Sequence, residues 1–351
     1  MSGVSDQWSS LWPALAFLLA GVPLAALLDR LGFFEASASV IVGRGGERRV
    51  LALWVFAALT TIVLNLDTTV VLLTPLYLRL AKRADVDPLP LVLIPLFLAS
   101  FASSVLPVSN LTNLIVTDQL HVGVGDFLTH LAIPSVVAST VGWLAYCRRY
   151  PTRLSTRTAA APERRPLYLG GAIVVGLLVG FVVGPTFGVA PWMTAVAVDV
   201  VLMCLTRFIP WRDVPLLTAV AVAGLGVAVA LVAPTTALHH LVSHERPIVL
   251  LAIACGGGLL ANLVNNLPAL LVVVDGLHRG SWGLWAWLLG VNTAAVLLPI
   301  GALANLLWLR LLRAEGLRIG FRRYVSVTLP VALPAFAAAA IALSVERLVA
   351  G

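Results

Sequence analysis

One carboxylate lies in an apolar stretch of the sequence among amides and hydroxyls. Asp67 belongs to the segment Asn65-Leu66-Asp67-Thr68-Thr69, which joins two hydrophobic runs. A carboxylate at the centre of a bilayer costs about 2.5–3.5 kcal/mol on insertion scales, so it is retained where it is solvated or exchanges a proton. We predict that Asp67 takes up and releases a coupling proton. The alternative is that this carboxylate only caps the helix that follows it.

A second set of polar residues follows a proline pattern that occurs in both halves of the chain. The stretches PVSNLTNL (107–114) and PIGALANL (299–306) place proline and asparagine at matched positions. Proline breaks a helix, and the freed backbone groups need partners that hydrocarbon cannot supply. Amides and hydroxyls supply them, and without net charge they also suit a neutral solute that carries hydroxyl groups.

These amides and hydroxyls are our candidates for substrate contact. The alternative is that they only satisfy the broken backbone and bind nothing. The predicted substrate-binding residues are Asn65, Thr68, Thr69, Ser109, Asn110, Thr112, Asn113, Asn262, Asn265, Asn266, Asn292 and Asn305.

Composition places these residues in a membrane protein. The chain has 351 residues, of which 60% are hydrophobic and 11% charged, with a mean hydropathy of +0.99. A soluble protein of this size could not bury so much apolar surface. The net charge of +7 comes from basic residues in short loops, so we expect no nucleic-acid partner.

Three scattered cysteines predict neither a metal site nor a disulfide framework, and no Walker sequence occurs. We therefore expect a transporter without a cofactor, and not an enzyme.

Apolar segments of about 17–25 residues predict where the chain crosses the membrane. The predicted elements are helices over about 11–29, 127–147, 167–187, 190–206, 214–233 and 324–345, an amphipathic stretch over about 32–46, re-entrant hairpins over about 50–82 and 247–277, and broken helices over about 89–118 and 282–311. The helix before the first hairpin is an odd crossing and the helix before the second is an even one, so the two halves enter the membrane in opposite directions.

The predicted fold class is therefore an all-α polytopic membrane protein. It has an inverted repeat with two re-entrant hairpins and two broken transmembrane helices. Residues 1–148 form the first repeat, 149–166 a cytoplasmic linker, and 167–351 the second repeat. All Lys and Arg except Arg246, Arg279 and Arg347 fall on one side of this arrangement. By the positive-inside rule that side is cytoplasmic, and both termini lie on the outer side of the inner membrane.

The polar motifs resemble those of ArsB-type arsenite/antimonite permeases. These belong to an ion-transporter superfamily that includes sodium/proton antiporters and dicarboxylate symporters. The matching stretches are LDRLGFFE (28–35), NLDTTVVLLTP (65–75), LPVSNLTNLIV (106–116), NNLPALLV (265–272) and LLPIGALANLLWLRLL (297–312). The resemblance implies that arsenite or antimonite leaves the cell as a neutral trihydroxy species in exchange for protons. The residues on the family's motif positions are Asp67, Asn110, Asn113, Asn265, Asn266 and Asn305.

The resemblance also implies departures and alternatives. Such permeases usually carry two further N-terminal helices, so we expect a shortened first repeat. A homodimer and a separate ATPase subunit both stay open. A sodium/proton antiporter, in which Asp67 binds cations directly, is the main rival function. An anion carrier is disfavoured because few Lys or Arg fall inside the predicted membrane segments.

Overall fold

The computed structural model describes residues 2–43, 48–151, 164–217, 219–221, 223–224, 242 and 245–350, and these form helices and connecting turns. The helices are α1 (Ser2–Arg30), α2 (Phe33–Gly43), α3 (Arg49–Leu64), α4 (Leu66–Ala84), α5 (Pro88–Phe101), α6 (Leu111–Leu120), α7 (Val124–Arg149), α8 (Arg164–Val183), α9 (Pro191–Thr206), α10 (Pro247–Val264), α11 (Asn266–Leu271), α12 (Trp282–Thr293), α13 (Leu303–Ala314) and α14 (Phe321–Val349). The predicted all-α class is confirmed. The interior of the predicted linker, 152–163, and most of the helix predicted at 214–233 lie outside the described residues.

Five of the described helices are long and apolar enough to cross a bilayer: α1 from Trp12 onward, α7, α8 with the turn that follows it, α10 and α14. The helices α3, α5, α9 and α12 are apolar but shorter. The chain is an integral membrane protein. Helix length does not fix the number of crossings, the opposite directions of the two halves or the side on which the termini lie, so these stay predictions.

Helices α3 and α4 form an antiparallel hairpin that turns at Asn65. Contacts at equal distances on either side of this turn define the pairing. The Thr61 hydroxyl donates to the Thr69 hydroxyl at 3.1 Å, and the Tyr77 hydroxyl donates to the Leu53 carbonyl at 2.7 Å. The hairpin predicted over 50–82 is therefore present, with its turn inside the predicted polar tip.

The turn residues of the two hairpins share one unusual backbone conformation. Asn65 has φ 103° and ψ 170°, and Asn265, between α10 and α11, has φ 87° and ψ 152°. Residues other than glycine rarely adopt these angles, at a cost of about 1–3 kcal/mol. Each side chain offsets part of that cost by capping the next helix. The Asn65 Oδ1 accepts from the Thr68 N–H at 2.9 Å, and the Asn265 Oδ1 accepts from the Leu267 N–H at 3.3 Å.

This geometry predicts an inverted order of stability for two substitutions at the turn. Asn65→Gly and Asn65→Ala both remove a cap that contributes about 1 kcal/mol, but only glycine relieves the backbone strain. We expect the glycine variant to unfold later than the alanine variant, by about 1–3 kcal/mol in detergent-solubilised protein. At Ser326, an exposed helical position of α14, alanine should be the more stable of the two. The same order at both positions would show that the turn is not strained.

Two helices are interrupted by extended residues at corresponding places. The chain leaves α5 after Phe101 and enters α6 at Leu111, with Asn110 extended at φ −152° and ψ 144°. After α12 and a short 3₁₀ turn it enters α13 at Leu303, with Ala302 extended at φ −146° and ψ 154°. Both breaks begin and end earlier than the predicted 107–113 and 299–305. Leu106 and Leu298, which precede the prolines, are extended, because proline disfavours the helical conformation of the residue before it. Asn113 and Asn305 already lie in the helices that follow.

The two halves pack into one core. The indole N–H of Trp308 on α13 donates to the Val92 carbonyl of α5 at 2.8 Å. The Tyr324 hydroxyl on α14 donates to the Val296 carbonyl, at the second break, at 3.1 Å. Helix α14 also packs along α7, and α10 packs along α12. The breaks and hairpin turns are thereby held in the interior, among helices from both halves.

Candidate functional site

The hairpin turns and the breaks of both halves line a single cavity of about 380 Å³. Its polar wall is formed by Asp67, Asn110, Thr112, Asn265, Asn266 and Arg310. Its apolar wall is formed by Leu18, Leu66, Leu111, Leu217, Ala221, Leu267 and Leu303. The structure thus brings five of the predicted site residues, including the carboxylate, to one place.

Asp67 reaches the cavity from the first turn of α4. Its buried Oδ1 receives no hydrogen bond from any described residue. The cap of α4 is the Asn65 side chain, which accepts from the Thr68 N–H. The alternative suggested by the sequence, that Asp67 only caps its helix, is therefore not what the structure contains. The carboxylate is available to a proton or to a bound hydroxyl group.

Asn266 has the least committed amide in the cavity wall. Its backbone N–H donates to the Gly301 carbonyl at 2.9 Å, which ties the second hairpin to the second break. The residue is buried, with 6% of its surface exposed, and its side chain forms no hydrogen bond within the described part of the chain. Such an amide retains two donors and its acceptor for a ligand.

The other polar groups of the wall are partly committed. The Thr112 hydroxyl donates to the Asn292 Oδ1 at 2.7 Å and the residue is fully buried, so it belongs to the network behind the wall. The Asn265 Nδ2 donates to the Ile300 carbonyl at 3.0 Å, which leaves one N–H. Together with the Asp67 carboxylate and the Asn266 amide, this N–H gives the wall both donors and acceptors for a small hydroxylated solute.

Asn113 and Asn305 lie behind the wall and satisfy the broken helices. The Asn113 Nδ2 donates to the carbonyls of Ser103 and Leu106 at 2.8 and 2.9 Å. The Asn305 Nδ2 repeats this pattern with two carbonyls of the second break, at 2.8 and 3.0 Å. Both residues are buried and neither lines the cavity. For this pair the structure favours the alternative reading, that they serve the backbone.

Ser109 and Asn262 each accept a hydrogen bond from the backbone N–H of the residue that precedes the proline of a break. Ser109 does so from the break itself and Asn262 from the hairpin. The Leu106 N–H donates to the Ser109 Oγ at 3.3 Å, and the Leu298 N–H donates to the Asn262 Oδ1 at 2.8 Å. Gly301 lies where the first half has Ser109, and a Cβ there would clash with the Ala295 carbonyl and approach the Asn262 Oδ1 to 2.8 Å. The second half therefore needs glycine at this place because the Ala295 backbone and the Asn262 side chain occupy the space of a Cβ.

Asn292 on α12 joins the two halves through four hydrogen bonds. Its Oδ1 accepts from the Asn110 Nδ2 at 2.9 Å and from the Thr112 hydroxyl at 2.7 Å. Its Nδ2 donates to the Ser104 hydroxyl at 3.2 Å and to the Asn113 Oδ1 at 2.8 Å. Because all its polar capacity is used and it does not line the cavity, Asn292 positions Asn110 and Thr112 and has nothing left for a ligand.

The remaining predicted residues lie at the first hairpin turn, outside the cavity wall. The Thr69 hydroxyl donates to the Asn65 carbonyl at 2.8 Å, and both residues are buried. The Thr68 Oγ1 is buried and has no partner among the described residues. These side chains shape the turn that carries Asp67.

Arg310 also lines the cavity, from α13. The charge pattern of the sequence predicts this residue on the cytoplasmic side, with the other basic residues. The signal was available: Leu303 also lines the cavity, and a residue seven positions later lies two turns along the same helix face. The cavity wall therefore contains a cation that is absent from the residues predicted from the sequence.

An ion pair at the ends of two site-bearing helices connects the halves outside the cavity. The Lys82 Nζ, near the end of α4, lies 2.7 Å from the Glu315 Oε2, just after α13. The hydrogen bond and charge of Lys82 lower the pKa of the Glu315 carboxyl. Because both groups are exposed, this pair contributes little to stability, and it marks where the helices from Asp67 and Arg310 end together.

Comparisons with known proteins agree with this architecture. The chain is 29% identical to an arsenical pump membrane protein of Yersinia enterocolitica, over 96% of this chain and 88% of that protein. It is 26% identical to an arsenical pump membrane protein of Escherichia coli K12, with the same coverage. An uncharacterized transporter of Mycobacterium tuberculosis is 24% identical over 88% of this chain and 80% of its own length. The resemblance to arsenite permeases found in the motifs is confirmed over almost the whole chain.

A solved structure supports the fold independently of close sequence identity. The YdaH transporter of Alcanivorax borkumensis superposes with a TM-score of 0.59 at 14% identity, over 97% of this chain and 86% of that one. Its reported topology is unusual. A sequence model of the citrate transporter family, CitMHS, matches residues 7–290. A membrane transporter is thus what the fold, the cavity and the relatives have in common, and the chain belongs to the CitMHS family.

Proposed function

We propose that this transporter exports arsenite or antimonite, as the neutral trihydroxy acid, in exchange for protons. Two of the relatives that match over 96% of the chain are named arsenical pump membrane proteins. In this proposal the protein lies in the bacterial inner membrane with its arginine-rich loops in the cytoplasm and both termini outside.

The observation that carries the proposal is the composition of the cavity. The carboxylate of Asp67, whose buried Oδ1 has no partner among the described residues, shares a space of about 380 Å³ with the Asn266 amide, which is uncommitted within the same part of the chain. The spare Asn265 N–H completes a mixed set of donors and acceptors. A trihydroxy acid needs such a set because each hydroxyl both donates and accepts.

The single carboxylate supports exchange of the proton for the solute. An ionised Asp67 accepts a hydrogen bond from a metalloid hydroxyl, and hydrogen bonds to charged groups are about twice as strong as neutral ones. A proton on the carboxylate replaces this charge-assisted acceptor with a weaker neutral one, so proton binding and solute binding oppose each other at one site. Competition for one site that faces either side in turn is the basis of antiport.

The driving force is sufficient for a neutral solute. The membrane potential acts on the proton only, and about 150 mV supplies about 3.5 kcal/mol per charge. At one proton per solute this sustains a concentration ratio of about several hundred-fold. The proton must therefore supply all the work.

Transport into everted membrane vesicles tests the proposal. Vesicles that contain the protein should accumulate arsenite when respiration generates a proton gradient, and should lose it after a protonophore. ATP added without a respiratory substrate, in vesicles that lack the proton-pumping ATPase, should not replace respiration. Vesicles without the protein are the control. Accumulation that requires ATP and ignores the protonophore would instead indicate a separate ATPase subunit.

A second candidate substrate class is a small carboxylate anion. The description of the matching family, citrate transporter, and the presence of Arg310 in the cavity wall both favour it. It predicts that citrate or a dicarboxylate, and not arsenite, is transported and competes with label in the same vesicles. Saturable arsenite transport that excess citrate leaves unchanged would exclude this candidate.

A further inference from the structure

We propose that a pocket between α13 and α14 binds the headgroup of an anionic phospholipid at the membrane surface. The pocket has a volume of about 360 Å³ and shares no lining residue with the cavity that contains Asp67. Its walls are formed by Leu309, Arg313, Arg318, Ile319 and Gly320. The orientation in the proposed function assigns the pocket to the cytoplasmic leaflet, whereas lipid binding itself does not depend on arsenite transport.

The pocket lies where a membrane-spanning helix begins. Gly320 directly precedes α14, which is apolar enough to cross a bilayer and has 29 residues. At 1.5 Å per residue this helix is about 44 Å long, which matches the thickness of a bilayer with its headgroup regions. The first side chain of the helix, Phe321, is exposed, as aromatic residues at a membrane interface commonly are. The pocket is therefore at the level of the lipid headgroups.

Two arginines give the pocket a positive charge. Arg313 lies in the last turn of α13 and Arg318 in the connection to α14, and both side chains are exposed. The ion pairs of the described residues include neither of them. Glu315, the acid between them in the sequence, is paired with Lys82 at 2.7 Å. Within the described part of the chain both guanidinium groups are thus available to a phosphate, whose oxygens they match in geometry.

The rest of the wall is apolar, which favours a lipid over a soluble anion. Leu309 lies one turn before Arg313 on α13, and Ile319 directly follows Arg318. Both apolar side chains are half-buried and pack against the core. A soluble phosphate would leave their exposed surface in water, whereas the glycerol backbone and acyl chains of a phospholipid would cover it. Basic pockets beside membrane helices recognise acidic lipid headgroups through this combination of charge and apolar surface.

Native mass spectrometry of the purified protein tests the proposal, with phosphatidylglycerol and phosphatidylcholine of matched acyl chains as probes. We expect the wild type to retain phosphatidylglycerol in preference to phosphatidylcholine. Arg313→Gln and Arg318→Gln should each weaken phosphatidylglycerol binding about fivefold, and the double variant about 25-fold, without changing phosphatidylcholine binding. Because both side chains are exposed, these variants should unfold at the wild-type temperature in lipid-free detergent. Added phosphatidylglycerol should then stabilise the wild type more than the double variant.

Arg212→Gln is the matched control. Arg212 is also exposed and is predicted on the same side of the membrane, but it does not line the pocket. This variant should bind phosphatidylglycerol as the wild type does. An equal loss of binding in Arg212→Gln would overturn the proposal, because it would indicate attraction to the whole basic surface.

Two further outcomes would overturn the proposal. One is a wild type without preference for phosphatidylglycerol, or a double variant that keeps the preference. The other is competition by glycerol 3-phosphate at the concentration of the lipid, which would indicate a site for a soluble phosphate. Absence of arsenite transport by the wild type would contradict the proposed function and leave this comparison of lipids unchanged.

Discussion

Asp67→Asn is expected to abolish uphill export of arsenite and to leave exchange across the membrane intact. The wild type can sustain a ratio of about several hundred-fold from a potential of about 150 mV, and the variant should reach a ratio of about one. An amide of the same size still accepts a hydrogen bond from a metalloid hydroxyl, but it cannot carry a proton. Binding and coupling are thereby separated in one substitution.

The structure indicates that this variant will fold. No described residue depends on the buried Asp67 Oδ1 for a hydrogen bond, and the cap of α4 comes from Asn65. Neutralising a carboxylate that lacks a partner removes a desolvation cost and breaks no contact. Loss of accumulation should therefore occur with unchanged expression and unchanged thermal unfolding.

Two measurements in everted vesicles check this prediction. The first is accumulation of arsenite under respiration, and the second is exchange of labelled against unlabelled arsenite without a proton gradient. Asp199→Asn is the matched control, because Asp199 is also a buried acid with an unpartnered Oδ1 but does not line the cavity. Uphill accumulation by Asp67→Asn, or its loss in Asp199→Asn alone, would remove Asp67 from the coupling step.

The helical framework of the site was predictable because its signals are local. Proline indicates where a helix breaks, and a polar, asparagine-containing cluster between two apolar arms indicates where a hairpin turns. Those two rules place the tips near Asn65 and Asn265 and the breaks near Pro107 and Pro299. The limits of the breaks were less predictable, because freed carbonyls find partners several residues away.

The roles of individual asparagines could not be predicted, since one residue type serves two purposes. Asn113 and Asn305 satisfy carbonyls of the breaks, while Asn266 has an uncommitted amide in the cavity wall. A sequence records the amide but not the direction of its side chain. Arg310 could be predicted only from helix geometry, because it lies two turns after Leu303 on the same helix face. The charge pattern alone places it on the cytoplasmic side.

Asn292→Ala is expected to destabilise the protein strongly, by about 3–5 kcal/mol. The substitution leaves the buried Asn110 Nδ2 and Asn113 Oδ1 short of a partner, along with the hydroxyls of Ser104 and Thr112. A buried polar group without a partner costs about 1–3 kcal/mol, and part of this is recovered by rearrangement. The midpoint of thermal unfolding in detergent should fall by about 4–7 °C.

Asn266→Ala and Asn292→Ala together separate substrate binding from positioning. The sequence predicts both asparagines as substrate-binding residues, and the structure gives them different roles. The Asn266 side chain makes no hydrogen bond to described residues, so its removal should change the unfolding midpoint by no more than about 2 °C. It should nevertheless lower arsenite transport by about tenfold or more, since a hydrogen bond to the solute is lost. Asn292→Ala should show the reverse, with unfolding shifted and residual transport following the amount of folded protein. Equal stability losses in the two variants would mean that the wall of the cavity and the network behind it cannot be distinguished, and that substrate contact lies elsewhere.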